Sequence, residues 1–163
     1  MRLSITTPRG ALVDTDVEEV TAPGVLGEFG VLPGHVPLMS ALRPGVLIYR
    51  TKDHVGVVAV GQGYLQVAPV AATAGRATAG PGGATGAAVA AGPTVDRVLV
   101  LVYYAVPAGS VDRVMAEKEL GEADAELAQW KRELDGEYQA LLLRRGWAAA
   151  RVEASLRTSA ASH

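Results

Sequence analysis

The sequence has few of the residues on which enzymes and metal sites depend. Its 163 residues contain no cysteine, three histidines and one phenylalanine. The absence of cysteine excludes disulfides, thiol catalysis and cysteine metal sites, and it fits a reducing compartment. The histidines, His35, His54 and His163, are far apart in the chain, and none belongs to an HExxH or comparable ligand spacing. We therefore expect no zinc site and no other metal site.

Charge of one sign and long apolar runs are also lacking. The chain has 15 basic and 17 acidic residues, so its net charge is near zero and no nucleic-acid partner is expected. No window approaches the run of about 18 apolar residues that a membrane span needs, so we expect any membrane association to be indirect. The N-terminal sequence, MRLSITTPRG, has no apolar core of a signal peptide, and neither export nor a transit peptide is predicted.

The sequence motifs of catalysis are missing as well. Serines such as Ser4, Ser40 and Ser110 have no nucleophile-elbow context, and no GxxxxGK[ST] phosphate loop occurs. The carboxylates of Glu18 and Glu19 alternate along a predicted strand, where solvated charge is the ordinary explanation. We predict a protein that has no independent catalytic activity and binds no cofactor.

Residues 1–70 are predicted to be all β. Short apolar segments alternate with turn signals, and the predicted strands are 3–6, 17–21, 46–50, 55–60 and 64–67. Leu12, Val17 and Val20 are interleaved with acidic residues, which indicates one buried and one solvated face. Two packed sheets would bury the apolar faces. The later segment 98–104 is apolar throughout, and it predicts a strand that is buried on both faces or lies in an interface.

Residues 71–94 interrupt this pattern. They are nearly all alanine, glycine, threonine and proline, and Arg76 is their only charged residue. Such a composition offers too little apolar surface to offset the entropy lost on ordering. The segment therefore predicts a long flexible surface insertion between two strands.

Beyond Pro107 the pattern changes to helical periodicity. Ser110 is predicted to cap the first helix, with Asp112 in its first turn. The apolar stripe of this helix consists of Leu120, Ala123, Leu127, Trp130 and Leu134. A second helix would follow a break at Gly136 and form an antiparallel hairpin with the first; Gly146 is an alternative break. The predicted fold class is α+β, with a β-sandwich over 1–106 and a helical hairpin over 107–163.

The segment 27–38, GEFGVLPGHVPL, restricts backbone shape at nearly every position. Gly27, Gly30 and Gly34 allow positive φ, whereas Pro33 and Pro37 fix φ and lack an N–H group. We predict a rigid, exposed turn suited to recognition rather than chemistry, and the alternative is a plain loop between strands.

This segment begins a longer stretch, GEFGVLPGHVPLMSALRPGVL at 27–47, that resembles the signature of the epsilon subunit of bacterial F-type ATP synthases. The segments 7–24 and 58–67 resemble two further parts of that family's β-sandwich. Residues 96–105 resemble its last strand, and 111–120 resemble the start of its helical domain. The resemblance covers most of the chain and leaves only the insertion unmatched.

The resemblance implies a non-catalytic rotor subunit in the central stalk of a proton-translocating ATP synthase. Such a subunit joins the gamma shaft to the ring of c subunits. Its helical hairpin packs on the sandwich or extends towards the alpha and beta catalytic subunits, where it inhibits ATP hydrolysis. The implied location is peripheral, on the cytoplasmic face of the bacterial plasma membrane, without direct membrane insertion.

The resemblance also implies roles for single residues. Glu28 matches an acidic position that lies close to the c-ring in the family, and His35 matches a histidine that faces gamma. Without the resemblance, Glu28 would be a solvated turn carboxylate and His35 a histidine bonded within its own turn. Pro107 and Gly109 lie where a hinge between sandwich and hairpin is required.

Some members of the family bind ATP at the first helix through a motif of consecutive residues: Ile or Leu, then Asp, two variable residues, Arg and Ala. Asp112 and Ala116 match this motif, but Met115 stands at the position of the arginine and cannot offset phosphate charge. ATP binding is therefore not expected. Three arginines of the second helix could contribute to ATP binding if their side chains converge: Arg144, Arg145 and Arg151.

A hypothesis from a different class is a stand-alone β-sandwich that binds a small ligand and dimerises through its helices. It predicts a concave apolar pocket and a stable oligomer without a rotary partner.

Overall fold

The computed structural model describes residues 1–71, 94–131 and 135–160. In these residues ten strands precede a 3₁₀ turn, Ala108–Ser110, and two helices. The strands are β1 Arg2–Thr7, β2 Gly10–Asp16, β3 Glu19–Gly24, β4 Gly27–Val31, β5 Leu38–Leu42, β6 Gly45–Arg50, β7 Val55–Val60, β8 Gly63–Ala71, β9 Thr94–Val102 and β10 Ala105–Pro107. The helices are α1 Arg113–Ala128 and α2 Gly136–Ala160. The predicted α+β class, a β-sandwich followed by two helices, is confirmed.

The strands form a sandwich because β3 changes partner along its length. Hydrogen-bonded neighbours follow one another in the order β10, β7, β6, β3, β5, β8, β9, β1 and β2, with β4 also paired to β3. Residues Glu19 to Thr21 pair with β6, whereas Gly24 pairs with Leu42 of β5. A strand that leaves one sheet for another makes a corner, and the inner faces of the two halves then meet.

The core consists of alternating apolar residues from both halves of the sandwich. Leu3 and Ile5 on β1 are fully buried, and so is Leu47 on β6. The other fully or nearly fully buried members of this core are Val17, Val20, Ala22, Val31, Leu42, Val58, Val60, Leu65, Val67, Val98, Val100 and Val102. This period-two burial is the one predicted for residues 1–70.

Strand β9 is buried on one face only, so the prediction of burial on both faces is wrong. Val98, Val100 and Val102 point into the core, whereas Leu101 and the following Tyr103 are exposed. Side chains alternate across a sheet, and nothing in the described residues covers the outer face at these positions. The alternative, that this strand lies in an interface, stays a prediction.

The first helix begins two residues later than predicted. Its N-cap is Asp112, whose Oδ1 accepts a hydrogen bond from the N–H of Met115 at 3.0 Å. Ser110 lies in the 3₁₀ turn and is therefore not the cap. A carboxylate is an effective cap because it also interacts favourably with the positive end of the helix dipole.

The second helix begins at Gly136 and continues through Gly146, so the alternative break at Gly146 is wrong. Asp135 holds the start, because its Oδ1 accepts the N–H groups of Glu137 at 3.0 Å and Tyr138 at 3.1 Å. At Gly146 the helix touches the sandwich. A Cβ built there would lie 3.3 Å from Cβ of Pro44, so glycine permits a close approach.

Ion pairs fix the antiparallel register of the hairpin. Glu119 pairs with Arg151, Asp124 with Arg145 at 2.5 Å, and Glu126 with Arg144 at 3.0 Å. The residue numbers of the acids rise along α1 while those of their arginine partners fall along α2, which is the pattern of an antiparallel pair. Outside the contact with the sandwich, the buried residues of the two helices are three alanines and one leucine: Ala116, Ala123, Ala148 and Leu141. Leu134 of the predicted stripe lies outside the described residues.

The hairpin lies on the sandwich through its second helix. Helix α2 packs on β6 and β7, and α1 packs on α2. The insertion predicted at 71–94 lies outside the described residues except for Ala71 and Thr94, which end β8 and begin β9. The boundary predicted between 106 and 107 falls inside β10, and the division into two domains there stays a prediction.

Candidate functional site

The segment that resembles the family signature begins with β4, which forms a β-hairpin with β3, and continues into a short loop; we call this β3–β4 pair the signature hairpin. In the hairpin, β3 and β4 pair antiparallel from Val20 opposite Val31 to Gly24 opposite Gly27. Gly27 has φ +135°, and a Cβ on Gly24 would lie 2.7 Å from the oxygen of Gly27. Both glycines are therefore required by the turn. The two turn residues between them, 25 and 26, are exposed, Leu26 completely so at 103%.

The loop 32–37 after β4 is a second tight turn, and we call it the signature loop. Gly34 has φ +84°, and the N–H of His35 donates to the carbonyl oxygen of Leu32 at 3.1 Å. Leu32 and Val36 are left exposed, Val36 at 70%. Gly30 lies in β4 without positive φ, so only two of the three glycines, Gly27 and Gly34, use their conformational freedom as predicted.

An aspartate from a distant strand holds the signature loop. The N–H of Gly34 donates to Oδ2 of Asp96 on β9 at 2.5 Å. Sequence reasoning missed this residue because 62 positions separate the two partners. The only local signal was an acidic residue, Asp96, near the start of an apolar strand, and such a residue is ordinarily a solvated charge.

The two residues predicted to contact partners lie in this region and have different surroundings. Glu28 is exposed on β4, opposite Pro23, and its carboxylate has no ion-pair partner among the described residues. His35 is half-buried, and its Nδ1 lies 2.7 Å from the carbonyl oxygen of Val36, a distance at which a protonated Nδ1 donates. The imidazole is thus oriented by its own turn, and this leaves Nε2 for an outside partner.

The hairpin and the signature loop carry most of the exposed large apolar side chains of the first 40 residues. Four of them are well exposed, Val25 and Leu26 in the turn before β4 and Leu32 and Val36 in the loop after it, and the exposed Met39 follows on β5. Single exposed apolar residues are common on protein surfaces, but four of them on the two turns that flank one short strand indicate a binding surface. With Glu28 at its side, this surface can form apolar and charged contacts but has no group arranged for catalysis.

The predicted hinge residues, Pro107 and Gly109, are exposed and flank Ala108, which α2 covers. Pro107 is the last residue of β10 and pairs with Val58 of β7. Ala108 is buried against α2, and the N–H of Val111 donates to its carbonyl oxygen at 3.3 Å. A Cβ on Gly109 would meet nothing within 4 Å, so no neighbouring side chain requires glycine there.

The two residues that match the ATP motif have structural partners. Asp112 caps α1, and Ala116 is fully buried. Met115 at the arginine position is exposed, and Arg113 is paired with Glu117 at 2.7 Å. The three arginines of α2 each pair with a different acid of α1, as described above, and so do not converge on one point.

The contact between α2 and the sandwich combines small buried residues with larger, partly buried ones. Its buried members are Val46, Ala59, Ala108, Ala150 and Ala154, and Ile48, Val57 and Trp147 pack against them. One aromatic contact extends it: the rings of Trp147 and Tyr104 lie 5.7 Å apart between centroids. Arg151 places its guanidinium 5.2 Å from the centroid of the Trp147 ring and also pairs with Glu119, so it links α1, α2 and the aromatic contact.

The sandwich also has an open cleft of about 360 Å³ on the outer side of β8 and β9. Its lining is largely apolar and includes Tyr64, Leu101 and Tyr103. A concave, largely apolar cleft is the feature that the stand-alone ligand-binding hypothesis predicts.

Neither a membrane-spanning helix nor a metal-binding cluster occurs among the described residues. No helix among residues 1–71, 94–131 and 135–160 is long and apolar enough to cross a membrane. Over the same ranges, no three His, Asp or Glu side chains are grouped so that they could hold a metal ion.

Comparison with known proteins identifies the family. The family model described as ATP synthase, Delta/Epsilon chain, beta-sandwich domain matches residues 1–74. An ATP synthase epsilon chain 2 of Syntrophotalea carbinolica is 35% identical over 129 residues, which are 79% of this chain and 75% of the relative. An ATP synthase epsilon chain of Geobacter sulfurreducens is 30% identical over 141 residues, covering 86% of this chain and 83% of the relative.

A solved structure agrees in fold. A chain in the cryo-EM structure of the Euglena gracilis mitochondrial ATP synthase, OSCP/F1/c-ring, superposes with a TM-score of 0.58. The match covers 99% of this chain and 80% of that chain at 22% identity, a level that supports the fold alone. The fold, a β-sandwich followed by two helices, agrees with the family that the sequence relatives indicate. The chain belongs to the family of ATP synthase epsilon chains.

Proposed function

We propose that this chain is a non-catalytic central-stalk subunit that joins the gamma shaft to the c-ring of a proton-translocating ATP synthase. The observation that carries the proposal is the set of exposed apolar side chains on the two tight turns that flank β4, namely Val25, Leu26, Leu32 and Val36. Torque between two partners requires a clamp that does not deform, and turns fixed by glycine and proline supply one. Family membership decides against a stand-alone ligand-binding sandwich.

Glu28 and His35 are proposed to contact different partners. The exposed Glu28 carboxylate contacts polar loops of the c-ring, where its charge is available because it has no ion-pair partner in the described part of the chain. His35, oriented by its bond to Val36, contacts gamma through packing and through Nε2. Neither residue performs chemistry in this proposal.

The helical hairpin is proposed to regulate ATP hydrolysis by leaving the sandwich. Four of the five buried residues in its contact with the sandwich are alanines, each buried methyl contributes only about 0.8 kcal/mol, and the larger Ile48, Val57 and Trp147 are only partly buried there. A modest contact leaves a small free-energy gap between docked and extended states, which a two-state arm requires. Pro107 and Gly109 form the hinge, and the extended arm contacts the alpha and beta subunits.

The remaining parts of the proposal concern place and cofactors. The subunit is peripheral, on the cytoplasmic face of the bacterial plasma membrane, and reaches the membrane only through the c-ring. ATP does not bind the isolated chain, because Met115 replaces the arginine of the motif and the arginines of α2 are paired with acids. Equilibrium titration with ATP tests this point, and binding at millimolar or lower concentrations would contradict it.

The docking proposal is tested with two valines of similar exposure. Val36 on the signature loop is 70% exposed, and Val114 on α1 is 75% exposed. A buried charge at an interface is costly, so we expect Val36→Asp to weaken binding to a gamma–c-ring complex by at least about tenfold. Val114→Asp should leave that binding unchanged. Equal affinities for the two variants would contradict the proposal.

The same binding measurement separates the two polar residues. We expect Glu28→Gln to weaken binding to the isolated c-ring and His35→Ala to weaken binding to gamma. The matched controls are Glu18→Gln, an exposed acid outside the signature segment, and His54→Ala, an exposed histidine bonded to Thr51. Loss of affinity for the wrong partner, or an equal loss with the controls, would contradict the assignment.

A further inference from the structure

The signature loop has few bonds to the rest of the molecule. Residues 32–37 lie between β4 and β5 and pair with no strand among the described residues. The hydrogen bond from the N–H of His35 to Leu32 and the contact of its ring with Val36 both stay inside the loop. The contact that ties the loop to another element is the 2.5 Å bond from the N–H of Gly34 to Oδ2 of Asp96.

Both ends of this bond depend on local backbone structure. Gly34 has φ +84°, a conformation that other residues rarely adopt, and in this conformation its N–H points to the acceptor. Asp96 lies on β9 opposite Pro69 of β8, where proline offers no N–H to the ladder. Asp96 is half-buried, so solvent reaches its carboxylate only in part.

We propose that Asp96 is a positioning residue for partner binding, because its carboxylate holds the signature loop in the shape that presents Leu32 and Val36. This inference rests on the proposed docking function of that loop. A hydrogen bond to a carboxylate is shorter and stronger than one between neutral groups. A loop that is already fixed loses less conformational entropy when it binds, so a partner binds it more tightly.

The acceptor atom is essential to this role and the negative charge strengthens the hydrogen bond, and three variants separate the two effects. Asp96→Ala removes the acceptor and the charge. Asp96→Asn removes the charge and keeps a carbonyl oxygen at the same place. Glu18→Ala removes a charge from an exposed acid that lines the same surface cleft as Pro33 of the loop and makes no contact with Gly34.

The first measurement uses the isolated full chain and needs no partner. Hydrogen exchange at the Gly34 amide is followed by NMR in the wild type and the three variants. We expect exchange to become at least about tenfold faster in Asp96→Ala, to change less in Asp96→Asn, and to stay close to wild type in Glu18→Ala. Thermal unfolding checks that each variant is folded. Unchanged exchange in folded Asp96→Ala would overturn the proposal.

The second measurement is the affinity of the same chains for the gamma–c-ring complex. We expect Asp96→Ala to bind about tenfold more weakly than the wild type, with most of the affinity retained in Asp96→Asn. Equal binding of Asp96→Ala and Glu18→Ala would overturn the positioning role. If the wild type fails to bind, the proposed function fails, whereas the exchange at Gly34 still decides whether Asp96 holds the loop.

Discussion

Gly34 and Gly109 both lie in turns, and they differ in the backbone angle that the turn imposes. A Cβ on either residue would meet nothing within 4 Å, so sterics do not distinguish them. Gly34 has φ +84°, which costs a non-glycine residue roughly 1–2 kcal/mol, whereas Gly109 has no such angle. The contrast separates a glycine that the signature loop needs from one that the hinge merely tolerates.

We therefore expect Gly34→Ala to lower the free energy of unfolding by about 1–2 kcal/mol and to weaken partner binding. Gly109→Ala should leave stability unchanged or raise it by about 0.4–1 kcal/mol, because it reduces the freedom of the unfolded chain. Denaturant unfolding of both variants measures the difference. Equal stabilities would show that the left-handed angle at Gly34 is not required.

A second residue-scale prediction concerns the edge strand β2. Nε of Arg2 donates to Oδ1 of Asp14 at 2.7 Å, and this hydrogen bond together with the positive charge lowers the pKa of Asp14. Because the pKa is lowered in the folded state, the pair stabilises the fold above the ordinary pKa of aspartate. This stabilisation is lost as the pH falls through the lowered pKa.

Removal of the guanidinium should reverse the shift. We expect Arg2→Gln to raise the pKa of Asp14 towards its ordinary value, followed by the NMR shift of the carboxyl carbon against pH. Arg9→Gln is the control, since Arg9 lies in the β1–β2 turn and its side chain contacts no acid among the described residues. An unchanged pKa in Arg2→Gln would mean that another group lowers it.

At the scale of elements, each helix contains an interior glycine, and the two glycines differ in their surroundings. Gly146 faces Pro44 at the contact between α2 and the sandwich, whereas Gly121 in α1 is exposed and would meet nothing within 4 Å if it carried a Cβ. The first allows close packing and the second does not contribute to packing. The two positions are therefore a matched pair for testing whether α2 depends on that close approach.

We expect Gly146→Val to displace α2 from β6 and β7 and Gly121→Val to leave it in place. The measurement is hydrogen exchange of the α2 amides around Ala150, which should become at least about tenfold faster in Gly146→Val only. The core amides of β1 and β9 should stay protected in both variants. Equal protection of α2 in the two variants would contradict a contact governed by Gly146.

The sequence predicted the class and position of the elements better than their ends. Alternating apolar residues fixed most strands, and helical spacing located both helices, because each pattern is local. The sequence predicts Ser110 as the cap of α1, whereas the structure has Asp112 in that role. Both residue types cap helices, and only the backbone conformation decides between them. The role of Gly146 was open because a break and a close contact favour the same residue.

At the scale of the whole molecule, the contacts that a local pattern cannot encode were missed. The bond between Gly34 and Asp96 and the contact between Trp147 and Tyr104 each join residues that are far apart in the chain. The burial of only one face of β9 depends on the sandwich partner and not on the apolar run itself. The exposed signature loop was predicted, because its glycines and prolines restrict the backbone locally.

The whole molecule combines a docking surface on the sandwich with a helical arm held by a modest contact. The arm can be locked covalently, because the natural chain contains no cysteine and a Cβ at Gly146 would lie 3.3 Å from Cβ of Pro44. This is close to the separation of about 3.5–4.5 Å in disulfides. Pro44→Cys combined with Gly146→Cys therefore ties α2 to the sandwich when oxidised and frees it when reduced.

The most direct test is the ATP hydrolysis rate of the cognate catalytic complex lacking this subunit, with the double-cysteine chain added in oxidised or reduced form. The single-cysteine chains and the wild type, each with and without reductant, are the controls, and binding is measured in parallel. We predict that both forms bind equally and that only the reduced form slows hydrolysis. Equal slowing by the bound, oxidised chain would contradict an inhibitory arm that must leave the sandwich.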